Sequence, residues 1–327
     1  MTSQTIPRVA SGPAERLSHA EDALWRHHGL VPIVRTIELR RPNVRLRVLE
    51  VGNGDPLLCI HGTVGPGGWP SLVEAMPGHR FLLLDRPGWG GSDPIDYGAH
   101  DYHEVAADIL AGVLDADGLD SASIVGTSIG DVWALSLAQR APARVDRVVL
   151  LGGGPIVTEV ERPAFIRLLA SPLGALIVRL PISAGRTRSI LRDSGHGPSL
   201  DAGRIPEEFI AWRVAVSNDS AAMRQERAMV RRVVAGSGWS PRLVFAPDDL
   251  AAIGQPTLMV YGSADPVGST ALWRRVVGML PAGRLEVVDG AGHMPWFDEP
   301  ARVAALVDQF LSQPSFESTP LGSAYIG

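Results

Sequence analysis

Short, wholly apolar runs alternate along this chain with helical periods, and that alternation limits the possible folds more than any other feature. Phe81-Leu82-Leu83-Leu84 and Ile124-Val125 carry no polar residue on either face of an extended chain. Each therefore predicts a strand covered on both sides. Strands are expected at about 35–39, 46–51, 57–61, 81–85, 122–126, 145–151, 256–261 and 284–288, and helices at about 100–116, 128–140, 269–280 and 299–311. The expected class is α/β, a doubly wound, mostly parallel sheet of eight strands. From about Pro155 to Val244 no convincing strand appears and helical stretches follow one another. This predicts an all-helical cap, inserted after the sixth strand and lying over the carboxyl edge of the sheet.

A length of 327 residues suits two domains, or one α/β domain of about 250 residues with an insertion. The expected division is an N-terminal helical extension over 1–30, a core over 31–154 and 245–311, the cap over 155–244 and a flexible tail over 312–327. With 45% hydrophobic and 20% charged residues, the chain has ample material for a core.

All thirty of the Lys+Arg residues are arginine, so Schiff-base chemistry and a P-loop lysine are excluded. A net charge of -5 with interleaved signs offers no basic stripe, so nucleic acid is not an expected partner. The single cysteine, Cys59, lies in an apolar run and reads as a buried structural thiol. Acids and histidines through Glu15, His19, Glu21, Asp22 and His27 leave no apolar core for a signal peptide. A cytoplasmic location is therefore expected. The most apolar stretch, Pro163 to Pro181, is broken by Arg167 and Arg179 and is too short to span a membrane.

Chemistry concentrates at the ends of the expected strands. Gly126-Thr127-Ser128-Ile129-Gly130 follows an apolar strand and opens a helix, the setting in which a tight turn lifts a nucleophilic serine above a sheet. The alternative, an N-capping serine, needs no partners, whereas a nucleophile needs a base and the base an orienting carboxylate. Asp265 and His293 supply both, in that order, after the last two strands. The run Cys59-Ile60-His61-Gly62-Thr63-Val64-Gly65-Pro66-Gly67-Gly68-Trp69 after the third strand is suited to an oxyanion hole. Thr63 is expected to give one backbone N–H, with Val64 as the register alternative, and Ile129 the other. His61 reads as a brace for this loop. Val64, Trp69 and Met294 are expected to line the substrate site.

Together with Asp85-Arg86-Pro87-Gly88-Trp89-Gly90-Gly91-Ser92 after the fourth strand, these segments resemble the α/β-hydrolase fold superfamily, similar from about Val31 to Leu311. The resemblance implies acyl-serine chemistry, with no cofactor and no metal. Many relatives have a second glycine where this chain has Asp131; its side chain is expected to point away from the pocket. A serine in place of a carboxylate nucleophile, and tyrosines only at 97, 102, 261 and 325, separate the chain from epoxide hydrolases. The leading expectation is hydrolysis of a largely apolar, small to medium carboxylic ester. Gly65-Pro66-Gly67 also resembles the oxyanion loop of the meta-cleavage-product hydrolases, which implies carbon–carbon cleavage as the runner-up. A ligand receptor or cofactor-free cyclase on the same scaffold is the third reading.

Between Arg162 and Arg192 there are six arginines (162, 167, 179, 186, 188 and 192) and no acid. They are expected either to stay solvated or to rim an apolar pocket that favours a carboxylate over a cation. If Ser128 is the nucleophile, an organophosphonate adds one equivalent of mass at that residue, and Ser128→Ala loses activity by orders of magnitude. Peptide mass mapping checks both outcomes.

Overall fold

The structure, a computed structural model, describes residues 12–236 and 238–313. The expected tail falls almost wholly outside the described residues, as does the start of the N-terminal extension. The extension's remainder forms helix α1, Pro13–His27.

The eight expected strands are present: β1 (Ile33–Arg40), β2 (Asn43–Val51), β3 (Asp55–Ile60), β4 (His79–Leu84), β5 (Ala122–Thr127), β6 (Val145–Leu151), β9 (Thr257–Gly262) and β10 (Gly283–Val288). Their order is β1-β2-β4-β3-β5-β6-β9-β10. Only β2 runs antiparallel to its neighbours. Alternation within a strand divides the core in two. Leu58, Ile60, Leu82 and Leu84 enter one cluster, with α3 (Tyr102–Ala116), α4 (Ile129–Arg140) and α12 (Thr270–Val277). Leu57, Cys59, Phe81 and Leu83 enter the other, with α2 (Pro70–Ala75) and α14 (Pro300–Leu311). This is why those runs contain no polar residue. Cys59 is fully buried, and burial pushes its thiol well above the ordinary range.

Between β6 and β9 the chain makes an excursion through α5 (Ala164–Ala170), α6 (Gly174–Ile177), α7 (Ala184–Leu191), a wide turn at Arg192–His196, α8 (Gly197–Asp201), α9 (Glu207–Asp219), α10 (Ala222–Val233) and α11 (Pro247–Ala251). It is not all helical. β7 (Val234–Ala235) and β8 (Gly238–Trp239) form a small hairpin, a pattern of two residues per strand that is too short to announce itself by alternation. The short α2 was likewise not expected from periodicity.

The excursion is tied to the core by a buried ion pair. Arg86, after β4, donates to Glu226 on α10 over 3.0 Å, and both side chains are 1% exposed. Trp89 Nε1 donates to the same oxygen over 3.1 Å. Removing one member strands the other charge in a buried site. Glu226→Ala is expected to lower the unfolding free energy by about 3–5 kcal/mol in urea titrations, and the double apolar replacement Arg86→Met/Glu226→Leu by far less.

Candidate active site

β3 and β5 are neighbours at the point where the strand order reverses, the place where open α/β sheets leave a crevice at their carboxyl edge. β5 ends at Thr127, and Ser128 follows with φ 56° and ψ −119°. It is the only non-glycine residue of positive φ among the described residues. The turn requires its flanking glycines. A Cβ on Gly130 would lie 2.2 Å from the Ile60 carbonyl oxygen, and one on Gly126 would lie 2.7 Å from the Gly130 backbone.

The loop after β3 comes down beside this turn: a Cβ on Gly62 would lie 2.8 Å from Ser128 Cβ. His61 braces it, as its position suggested. Its Nε2 accepts the Arg86 amide over 3.1 Å, which puts the ring proton on Nδ1, 2.7 Å from the Gly62 carbonyl. Arg86 Nη2 donates to that same carbonyl over 3.1 Å. Burial, together with the Arg86 charge, holds the His61 pKa well below the ordinary value, so the brace is neutral. The amides of Thr63, Val64 and Ile129 donate to no protein acceptor among the described residues, whereas the Gly65 amide is taken by the Gly62 carbonyl at 3.1 Å.

Asp265 and His293 leave β9 and β10 at the same edge. His293 Nδ1 lies 3.0 Å from both Asp265 oxygens. Those oxygens also accept the Gly153 amide (2.9 Å) and the Val267 amide (2.8 Å), which fix the carboxylate from the β6 and β9 sides. With Nδ1 committed to Asp265, Nε2 is the nitrogen left for a substrate or a nucleophile. Burial disfavours the charged imidazole, but the Asp265 charge and hydrogen bond more than offset it. The His293 pKa therefore lies above the ordinary histidine value.

Ser128, His293, Thr63, Val64, Trp69 and Met294 all line one narrow slot of about 10 Å³, room for roughly one water. It adjoins a cavity of about 440 Å³, also lined by Ser128, His293, Thr63, Val64, Ile129 and Met294. Trp69 belongs only to the slot, where its ring stacks on Trp296 at 5.8 Å. Every site residue expected from the sequence is thus brought to one place. The arginine rim is not. Of the six, only Arg186 lines the cavity; Arg188 pairs with Glu207 and Arg192 with Asp201.

Sequence reasoning missed Arg213, on α9, which also lines the cavity. Its guanidinium reaches the Thr63 carbonyl (3.4 Å) and Ser217 Oγ (3.1 Å), and it forms no ion pair with a carboxylate among the described residues. Burial brings its pKa down to about 10, with the more distant Glu226 opposing the shift. Nothing local marks it, because the helix carries it inward across a fold whose closure the sequence does not display. Asp131 is fully buried and does not line the cavity. Its Oδ2 sits against Gly154, where a Cβ would lie 2.8 Å away. Neither oxygen has a hydrogen bond of ordinary geometry. Burial, and then the charge of Asp265, lift its pKa well above the carboxylate range, against a weak interaction with the Leu151 backbone. No cluster of three or more metal-ligating side chains occurs among the described residues, and no helix among them is long and apolar enough to cross a membrane.

Residues 57–306 match the alpha/beta hydrolase family, and the chain belongs to that family. It is 28% identical over 279 residues to a 2-hydroxy-6-oxononadienedioate/2-hydroxy-6-oxononatrienedioate hydrolase of Burkholderia vietnamiensis, covering 82% of this chain and 91% of that one. The fold is similar to naproxen esterase from Bacillus subtilis, with a TM-score of 0.70, 18% identity and coverage of 93% and 99%. It is similar too to a 2-hydroxy-6-oxo-6-phenylhexa-2,4-dienoate hydrolase from Rhodococcus, with a TM-score of 0.71, 22% identity and coverage of 87% and 100%.

If His293 is the base, kcat/KM rises with pH as it loses its proton, with a midpoint above ~6.5. Asp265→Asn leaves burial to act without the carboxylate, so the midpoint moves to lower pH and kcat falls by ~10³–10⁴. Rate profiles of both proteins between about pH 5 and 9 check this; a flat wild-type profile contradicts it.

Proposed function

We propose that this chain is a serine hydrolase acting at a carbonyl carbon of an apolar substrate that bears a carboxylate. The observation that carries the reading is that Ser128 and His293 line one apolar cavity, with Asp265 held against His293, and that the same wall carries Arg213, a cation with no carboxylate partner among the described residues. Ser128 Oγ attacks the carbonyl carbon while His293 takes its proton, and Asp265 keeps the imidazole in the useful tautomer. Thr63 and Ile129 amides face the oxyanion that develops. Collapse expels the leaving group, which takes the proton from His293. Water, activated by the same base, then releases the acid and frees the serine. The excursion between β6 and β9 acts as the cap of this site.

An ester needs nothing beyond these parts. Carbon–carbon cleavage needs in addition a leaving carbon whose charge is delocalised, and a substrate held firmly enough for that charge to develop. Two observations favour it. A guanidinium that faces an apolar cavity with no carboxylate beside it among the described residues favours an anion there, and the Burkholderia relative is named for the hydrolysis of unsaturated oxo-dicarboxylates. Carbon–carbon hydrolysis of a carboxylate-bearing vinylogous diketone is therefore the preferred form of the proposal, with ester hydrolysis second.

The decisive comparison is kcat/KM for a 2-hydroxy-6-oxo-dienoate, for nitrophenyl esters of increasing chain length and for a choline ester. The dienoate is expected to be best and the choline ester worst. Arg213→Leu is expected to cost about 10²-fold on the carboxylate substrate and less than about threefold on a neutral ester. Equal losses on both would remove the carboxylate from the proposal. A neutral ester that outruns the dienoate would return the ester reading to first place.

A further inference from the structure

Three consecutive amides at His293 are held by groups outside their own loop. Gly292 N–H donates to Asp298 Oδ2 over 2.8 Å, His293 N–H to the Ser194 carbonyl over 2.9 Å, and Met294 N–H to His196 Nε2 over 3.2 Å. Ser194 and His196 belong to the wide turn Arg192–His196 of the excursion. Asp298 follows on α13 (Pro295–Asp298) and is itself held by His196 Nδ1 at 2.8 Å and by the Ser199 hydroxyl. An amide that donates to Nε2 requires that nitrogen to be unprotonated, so the His196 proton sits on Nδ1, toward Asp298. His196 is fully buried.

The turn fits its neighbours closely. Gly195 has φ 91°, and a Cβ there would lie 2.5 Å from the Ala264 carbonyl oxygen and 2.8 Å from Gly292 Cα. The excursion thus touches the loop of the candidate acid and the loop of the candidate base together. On its other side, Thr187, Ile190, Leu191, Asp193 and Ser194 line the 440 Å³ cavity. One short stretch of chain both forms the wall a substrate would meet and holds the backbone from which His293 projects.

We infer that His196, with Asp298, is a positioning residue for His293, and that through this pair the excursion sets where the base stands. The inference rests on the reading of Ser128, His293 and Asp265 as nucleophile, base and acid. Neither His196 nor Asp298 lines the cavity, so their effect falls on the reacting geometry and not on substrate affinity. A displacement of the base by about 1 Å is enough to cost ~10²-fold in rate. A residue that served only to hold the fold together would alter the melting temperature and leave turnover per folded molecule as it was.

The test measures kcat, KM and melting temperature for His196→Leu and His196→Gln, with sites counted by organophosphonate titration. His196→Leu is expected to lower kcat per titrated site by about 10–100-fold, with KM within about twofold. His196→Gln, whose amide oxygen can accept the Met294 N–H, is expected to recover most of that loss. Wild-type kcat per site in His196→Leu, whatever its melting temperature, overturns the inference. Should His196→Leu fail to fold, Ser199→Ala removes only a hydroxyl from Asp298 and is expected to lower kcat about threefold. Wild-type kcat per titrated site in Ser199→Ala then overturns it. Retention of full activity by Ser128→Ala would instead defeat the underlying triad, a result that none of the His196 variants can mimic.

Discussion

Ser128 holds its left-handed backbone only because β3, β5 and α4 meet around it without an intervening side chain. Such a conformation costs an L-residue on the order of 1–3 kcal/mol, and it persists only where the surroundings over-determine it. Here they do so through packing on both faces of the sheet. β3 and β5 are buried, and α4 is almost wholly so, which locks the turn between two strands and a helix that cannot relax. From that one position follow the crevice between β3 and β5, the free amide at the start of α4 and the approach of the Thr63 loop. The strands that deliver Asp265 and His293 lie on the far side of β6, and the glycines after β6 leave room for both the carboxylate and its amide donors.

The elements and the candidate site were legible in the sequence for a shared reason: both are written locally. A strand buried on two faces is a continuous apolar run, and a strand-end loop shows its acid or base next to that run. The order of Ser128, Asp265 and His293 needs only those runs to be placed. What stayed hidden depends on distant partners. Arg213 looks like any other helix arginine until α9 turns it toward Thr63, 150 positions earlier. Asp298 reads as one more acid before a proline-started helix, and His196 as a loop histidine, although they meet across 102 positions. The six arginines stayed open between solvation and a rim for the converse reason. Their clustering is real, but α7 and its following turn send two of them to nearby carboxylates, and a count of charges cannot show where a helix points them.

The excursion and the sheet are joined in two chemically different ways. Arg86 and Glu226 form a buried charged contact, which opposes any opening that leaves either group alone. His196 and Asp298 join each other and accept hydrogen bonds from the backbone amides on either side of His293. The first lies against α10, beside the His61 brace of the loop after β3, since Arg86 also donates to the Gly62 carbonyl. The second lies at the base. The two joints stand on either side of Ser128 along the sheet, so movement of the excursion as a unit would be felt at both halves of the site.

Asp131 brings a different consequence. Because its carboxyl is buried beneath the turn and faces the field of Asp265, the folded chain keeps it uncharged well above the pH at which the unfolded chain releases that proton. Its contribution to folding is complete below the ordinary carboxyl pKa, and it drains away as pH climbs toward the raised value. His293, if it is the base, needs the opposite change, since an imidazole can accept a proton only once pH has risen enough to free it. The support under Ser128 and a base at His293 would thus be titrated in opposing senses. A rise in pH therefore works against the turn that carries Ser128, while it would favour an imidazole acting as base.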